Sequence, residues 1–322
     1  MGLKDEILKQ FESSRGVSYS GAELAKQYGV SRAAVWKAVK SLQKEGFAIQ
    51  ATTNRGYTFL AANDRLTEAG IRQYIPFPCE LRVERCVGST NDEVKKLAEE
   101  GANEWSCVVA EEQTRGRGRF NRKFISAEGA GVYISILLRP KFSAVETLFI
   151  TTCAAVAVCE AIENVSGKSV GIKWVNDVLL NGKKVCGILT EASYDVESGG
   201  LSYAVVGIGV NVLYQEFPSE LAGIAGTVFG EGEYPQEGRA RIAAEIIKRF
   251  RYYYDRIPQR TFFPEYKRRS VVVGKRVKVF SGNIEGDATV LDLDENCFLK
   301  VRFDDGTVKQ LASGEVSIKI QN

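Results

Sequence analysis

The chain contains no histidine. That absence excludes a Ser-His-Asp triad, a Cys-His dyad and any metal site that depends on imidazole, and it leaves chemistry to Lys, Arg, Asp, Glu and backbone dipoles. The seven cysteines are odd in number and never spaced C-x-x-C. Cys107, Cys153, Cys159 and Cys186 fall inside apolar segments as reduced core residues do, so neither a disulfide framework nor a resident metal site is expected. No Walker A pattern occurs, and the one glycine cluster that approaches a dinucleotide fingerprint, Gly116 and Gly118, meets Asn121 where a third glycine belongs. Long apolar runs are missing too. The longest weakly charged stretch, Thr147 to Cys159, has thirteen residues and reads as a core helix rather than a membrane span. The start, MGLKDEILKQ, has no apolar signal core, and Glu6 stands where a myristoylation motif needs Ser or Thr, so a cytoplasmic protein with no membrane partner is expected.

What is present is an ordinary globular composition over 322 residues, enough for two or three domains. The net charge of +3 is unevenly spread: residues 1 to 62 hold nine Lys or Arg against five acids, a balance of +4. A nucleic-acid partner is therefore expected at the N-terminal end. A second basic run lies mid-chain in EEQTRGRGRFNRKF, where Arg115, Arg117, Arg119, Arg122 and Lys123 occur without an acid and two glycines alternate with the first three arginines. Buried strands are predicted on both sides, WSCVVAE before and GVYISILL after, which makes the run a loop. Glycines let a backbone approach a ligand, and guanidinium forks match carboxylate and phosphate oxygens. An anion-binding loop that orders over a ligand and a plain solvated basic loop both fit.

In the first sixty residues, Leu3, Ile7, Leu8 and Phe11 share a helical face, and Ser20 with Glu23 forms a capping box opening a short helix. Ser31 caps a third helix that Gly46 ends, and FAIQATTNRGYTFL reads as a hairpin around Asn54-Arg55-Gly56. Helix-turn-helix followed by a hairpin is a winged helix. Its third helix would present Ser31, Arg32, Ala33, Ala34 and Lys37 to DNA, with Arg55 on the wing; Trp36 fits either the core or the contact face. A protein-contact role for the same module stays open.

Beyond a short linker, Ala61 to Asp64, a strand LRVERCV meets Gly88-Ser89-Thr90-Asn91 and a helix, where the hydroxyls cap the helix or face a ligand. An alanine-rich helix is expected over 145 to 164. The segment from Gly171 to Asn211 reads as strands with a hairpin at Asn181-Gly182, and Lys184 stands at the start of its return strand. Residues 271 to 322 form five short strands, a small barrel of the SH3 type with no evident chemistry.

Taken together, SRAAVWKAVKSLQKEGF, NRGYTFL, GSTND, EEQTRGRGR, KWVND, GKKVCGILTE, GIGVNV and SGEVSIK resemble the biotin protein ligases of the bifunctional ligase and repressor type over essentially the whole chain. The resemblance implies an α+β architecture: a winged helix-turn-helix over residues 1–62, a central mixed sheet with packed helices over 63–270, similar to class II aminoacyl-tRNA synthetases, and an SH3-like barrel over 271–322. It implies ATP-dependent formation of biotinyl-5′-adenylate with Mg2+ on the nucleotide, and transfer of biotin to a lysine of a biotin carboxyl carrier protein. It further implies repression at operator DNA by a ligand-bound homodimer. By resemblance, Ser89, Thr90, Asn91, Gln113, Gly116, Arg117 and Lys184 would hold biotin. Arg119, Arg122, Phe124, Asn176 and Asn211 would meet the nucleotide, and Arg117, Arg119, Lys184 and Asp177 would serve catalysis. Asn121 departs from a family glycine and Phe124 from a tryptophan that packs on adenine.

Overall fold

The computed structural model describes residues 2–53, 55–60, 64–141, 147–194, 201–233 and 235–318. At the N-terminus, α1 (Leu3–Ser13), α2 (Gly21–Gln27) and α3 (Arg32–Lys44) pack against a small sheet of β1 (Ser18–Tyr19), β2 (Ile49–Thr52) and β3 (Gly56–Phe59). The caps are those read from the sequence. Ser20 Oγ accepts from Glu23 N at 3.1 Å while Glu23 returns a carboxylate to Ser20 N at 2.8 Å, and Ser31 Oγ accepts from Ala34 N. Ile7, Phe11, Leu24, Val35, Val39, Leu42 and Phe59 close a core separate from the rest of the chain. Trp36 is outside it, 52 % exposed. The expected linker, Ala61 to Asp64, lies outside the described residues except for Asp64.

The join to the rest of the chain is polar and buried. Thr67, which caps α4 (Glu68–Arg72), donates to Glu12 of α1, and Arg15 Nε pairs with Glu237 Oε1 at 2.7 Å, both side chains nearly excluded from solvent. Glu237 also accepts from Tyr74.

The central sheet runs β4-β5-β6-β10-β9-β8-β7, with β4 (Leu81–Val87), β5 (Cys107–Gln113), β6 (Gly131–Leu138), β7 (Gly171–Lys173), β8 (Asp177–Leu180), β9 (Lys183–Tyr194) and β10 (Leu201–Asn211). Among the described strands of this sheet β4 and β5 are the one parallel pair, and α5 (Thr90–Glu99) is the crossover that a parallel pair requires. Side chains alternate between faces. Val108, Leu137 and Val205 point to one side, where they meet Val94 and Leu97 of α5. Their neighbours Val109, Ile136, Leu138, Ala204 and Val206 point to the other, which α6 (Thr147–Ser166) and α7 (Gly238–Tyr254) cover. The apolar stretch expected to be too short for a membrane is part of α6, whose twenty residues are long and apolar enough to cross one. Twelve of them are buried in this core instead. Val145, the expected start of that helix, lies outside the described residues.

After α8 (Phe263–Arg268), strands β11 (Arg276–Ser281), β12 (Ile284–Leu293), β13 (Leu299–Phe303), β14 (Val308–Leu311) and β15 (Glu315–Ile318) make the antiparallel sheet β14-β13-β12-β11-β15. Its inward residues, among them Val277, Val279, Val301 and Val316, join the core of the central region. Trp174 Nε1 donates to Cys297 O at 2.9 Å and Tyr266 OH to Val175 O at 3.1 Å, so the turn after β7 is held from behind by the C-terminal part of the chain.

Candidate active site

The site opens on the α5 face of the central sheet where β10 and β9 give up their side chains. In register across β6, β10 and β9, the row Leu137, Val205, Glu191 is followed by Ser135, Gly207, Leu189 and then by Tyr133, Gly209, Gly187. Glycine at 187, 207 and 209 leaves a floor without side chains beneath a cleft of about 960 Å³. Alternation in the sequence GIGV, with Ile208 turned to the core, is the signal that could have found this floor; reading the stretch only as a buried strand passes over it.

Around the floor stand most of the residues expected from the sequence. Ser89, Thr90, Asn91, Gln113, Arg117, Arg119, Arg122, Phe124, Asn176, Asp177 and Lys184 all line the cleft. Ser89 is the N-cap residue of α5, but its side chain makes no capping hydrogen bond, and Thr90 Oγ1 is engaged with Gln113 Oε1 at 3.0 Å. Gln113 Oε1 also accepts from Thr90 N at 2.9 Å, and Gln113 Nε2 donates to Ser126. Ser135, which sequence reasoning missed, places its hydroxyl 2.7 Å from Thr90 Oγ1 and 2.5 Å from Asn91 Oδ1. Capping, one of the two roles expected of these hydroxyls, is therefore not theirs.

The basic run forms a small hairpin over this floor. Gly118 N donates to Arg122 O at 2.7 Å and Phe124 N to Gly116 O at 2.9 Å. Gly116 does not line the cleft but shapes the loop: a Cβ there would fall 2.5 Å from Phe124 O and 2.6 Å from Ser126 Oγ. Phe120 and Asn121 both have positive φ, 55° and 56°, and asparagine tolerates that left-handed backbone better than most residues, which accounts for Asn121 in a glycine position. The Phe124 ring lies against Gly209 and Gly187 and meets Tyr133 edge-on at 6.5 Å, so it covers part of the floor.

At the other wall, Lys184 Nζ pairs with Asp177 Oδ1 at 2.7 Å, and both the amide and the carbonyl of Lys184 are fixed by the chain at Ile224 and Gly226. Arg119 Nη1 donates to Asn176 Oδ1 at 3.2 Å, and Asn176 Nδ2 donates to Ile188 O. Burial lowers the pKa of Arg119 from its ordinary value, with the charges of Asp177 and Glu315 opposing. A cation so placed, partly stripped of water, is suited to an anionic ligand. Arg117 is differently placed: its guanidinium makes two bonds to Asp92, at 2.9 and 2.5 Å. Arg122 Nη1 pairs with Glu315 Oε1 of β15 at 2.8 Å, and Glu315 and Ser317 line the cleft. The C-terminal sheet, in which the sequence showed no chemistry, thus contributes to the site. Asn211 is not brought to the cleft; it is buried and donates to Gly226 O at 3.2 Å.

On the distant winged helix, Arg32, Ala33, Trp36 and Lys37 are exposed on one face of α3, Ala34 is half-buried, and Arg55 is exposed on the wing. Ser31 is spent on the cap.

A model of the biotin/lipoate A/B protein ligase family matches residues 83–211, and a helix-turn-helix model matches residues 4–58. The bifunctional ligase/repressor BirA of Bacillus subtilis is 32 % identical over 327 aligned positions, covering 98 % of both chains. The chain belongs to the biotin/lipoate protein ligase family. BirA of Escherichia coli is 24 % identical over 95 % of this chain and 94 % of its own. Among solved structures, the biotin protein ligase from Aquifex aeolicus in complex with biotin and ATP superposes with a TM-score of 0.63 at 29 % identity, covering 75 % of this chain and 99 % of that one. The superposed ligase covers three quarters of this chain, and the helix-turn-helix model accounts for the N-terminal residues.

Proposed function

We propose that this member of the family is an ATP-dependent biotin protein ligase that also represses transcription. The observation that carries the reading is the convergence, under a glycine-hinged arginine loop, of Arg119 and Lys184 with the amide and hydroxyl groups of Thr90, Asn91, Gln113 and Asn176 on one glycine floor. The amides and hydroxyls of Ser89, Thr90, Asn91 and Gln113 suit a polar head group such as the ureido ring of biotin. Biotin carboxylate attacks the α-phosphorus of ATP, forming a C–O–P anhydride and expelling pyrophosphate. Two anions must meet for this, and Arg119 and Lys184 offset their repulsion and stabilise the pentavalent centre. Mg2+ enters with the triphosphate as part of the substrate; the cleft carboxylates Asp177 and Glu315 are each taken by a cation. Phe124 and Asn176 border the nucleotide side, with Arg122 beside them.

In the second half, the amine of a carrier-protein lysine attacks the biotinyl carbonyl and AMP leaves. Asp177, released when Lys184 turns to the anion, orients that amine and takes up its proton. The closed loop excludes water from the anhydride until the acceptor arrives. The acceptor is a biotin carboxyl carrier protein, and the cell compartment is the cytoplasm. For repression, biotinyl-5′-adenylate orders the loop and favours a homodimer, whose paired α3 helices meet a two-fold operator through Arg32, Ala33, Trp36 and Lys37 with Arg55 on the backbone.

The test is incubation with biotin, Mg-ATP and an apo biotin carrier domain, read by the intact mass of the carrier. One ATP-dependent biotinyl addition is expected, with Lys184→Ala reducing its rate at least about a hundredfold, as loss of a charge-stabilising group does. Biotin binding without addition would leave a sensing repressor. Preferential addition of lipoate from an equimolar mixture would reassign the substrate.

A further inference from the structure

Behind the cleft wall, Glu191 of β9 decides which way a buried amide faces. Asn91, in the first turn of α5 and 4 % exposed, donates from Nδ2 to Glu191 Oε2 at 2.6 Å and to Leu189 O at 3.5 Å. Lys95 holds the same carboxylate at 2.7 Å, and Arg117 lies 3.4 Å from it. Burial raises the pKa of Glu191, but the hydrogen bonds from Lys95 and Asn91 outweigh it, and the carboxyl stays below its ordinary value. An ionised carboxylate only accepts, so Asn91 turns its NH2 toward Glu191 and its carbonyl the other way. That carbonyl oxygen, Oδ1, meets Ser135 Oγ at 2.5 Å. The buried Ser135 hydroxyl is also 2.7 Å from Thr90 Oγ1, and it has one proton for the two acceptors. Thr90 spends its own proton on Gln113 Oε1 at 3.0 Å. The Gln113 amide is held in that sense by Thr90 N at 2.9 Å and by Ser126, to which Nε2 donates at 2.9 Å. Among the described residues no further donor reaches Asn91 Oδ1 or Thr90 Oγ1, and both residues line the cleft.

We propose that Glu191 is a positioning residue that makes the cleft select a head group donating N–H. By holding the Asn91 carbonyl inward it leaves the wall at Asn91 and Thr90 one proton short, and the ligand supplies the missing hydrogen bond. The proposal rests on the biotin reading only for the identity of that ligand, whose ureido ring carries N–H groups. A ligand acceptor in the same place meets a second acceptor and leaves a buried oxygen without a partner, which costs about ten- to a hundredfold in affinity. Were Asn91 reversed, its NH2 would donate to Ser135, Ser135 to Thr90 and Thr90 to Gln113, and every oxygen would have its donor without the ligand. The charge on Glu191 forbids that arrangement. Glu191 does not line the cleft; it acts through Asn91.

Titration calorimetry of the full-length protein compares biotin with its two cyclic-carbamate analogues, in each of which a ring oxygen replaces one ureido N–H. Wild type is expected to bind the weaker analogue about ten- to a hundredfold less tightly than biotin. In Glu191→Gln the new amide keeps an oxygen for Lys95 and offers its NH2 to Asn91, which then reverses, and the ratio should fall below about threefold. Loss of the charge beside Lys95 and Arg117 acts on biotin and both analogues alike and cancels in the ratio. Exchanging the two groups, Asn91→Asp together with Glu191→Gln, puts an acceptor back against Ser135 and should restore a ratio above about tenfold, which a merely structural role would not do. Should Glu191→Gln not fold, Asn91→Ala, which removes the surplus acceptor, takes its place with the same expected fall. A wild type that binds biotin and both analogues equally, a ratio unchanged in Glu191→Gln, or no recovery in the double variant overturns the proposal. A wild type that binds none of them sinks the ligase reading instead, and neutron diffraction from perdeuterated, ligand-free crystals then decides. An Asn91 deuteron aimed at Ser135 overturns the proposal, and both deuterons on the side of Glu191 and Leu189 sustain it.

Discussion

Adding one methyl group to the floor of the cleft tests the whole geometry of the site. A Cβ at Gly207 would lie 2.2 Å from Asn91 Oδ1, 2.9 Å from its Cγ and 3.1 Å from its Nδ2. The amide of Asn91 must move, and it is not free to. It accepts from Ser135 Oγ at 2.5 Å, donates to Glu191 Oε2 at 2.6 Å, and Ser135 sits directly opposite Gly207 across the β6–β10 pair. Overpacking a well-filled site costs about 1–3 kcal/mol and each displaced hydrogen bond about 0.5–1.5 kcal/mol. Gly207→Ala should therefore lose about 2–4 kcal/mol of stability, measured by urea unfolding, against a total of about 5–15 kcal/mol for ordinary domains. The displaced amide has only the cleft to enter, so biotin affinity by calorimetry should fall about ten- to a hundredfold. The decisive comparison is the double substitution: in an Asn91→Ala background the same methyl group should cost under about 1 kcal/mol, because the atoms it strikes are gone. An unchanged midpoint with biotin affinity within about threefold of wild type would refute the packing argument. An equal cost in both backgrounds would refute the role given to Asn91.

Two further outcomes follow from the buried charges. Arg239 is almost fully enclosed, donating to Asp64, to Glu111 Oε2 at 3.2 Å and to Gly131 O at 3.3 Å, and burial still raises the pKa of Asp64 despite this cation. The cluster itself adds little net stability, but Arg239→Ala strands two carboxylates and should cost about 3–5 kcal/mol in guanidinium unfolding; a loss under about 1 kcal/mol would mean water replaces the arginine. Glu12, between the winged helix and α4, is pushed above its ordinary 4.5 by burial, which outweighs the Thr67 bond and the Arg15 charge. A raised acid contributes stability below 4.5 and loses it as the pH climbs through the folded value. Glu12→Gln keeps an acceptor for Thr67 and should raise the melting temperature at pH 7, with the gain vanishing near pH 4; a melting temperature lowered at both pH values would show that the charge holds the two parts together.

The sequence by itself determined what depends on near neighbours. The Ser20 capping box, the Ser31 cap, the Asn181-Gly182 turn, the buried strands β6 and β10 and the placement of the arginine run as a loop between strands are all short-range matters of helix ends, turn backbone and apolar runs. Recognition of the motifs GRGR, KWVND and GKKVCGIL added the family, since their order along the chain is a one-dimensional property. Tertiary structure decided the pairings. Nothing along the chain says that Asp92 meets Arg117, that Lys184 meets Asp177, that Ser135 completes the Thr90 and Asn91 network, or that Glu315 reaches back to Arg122. It also settled Trp36 on the exposed face of α3, and it turned Asn211 toward Gly226 and away from the cleft. The physical reason is register. Each strand announces which residues are apolar, but which row of one strand faces which row of the next is set by the whole sheet and its crossovers, and the glycine floor exists only when β10 and β9 align with Gly209 opposite Gly187.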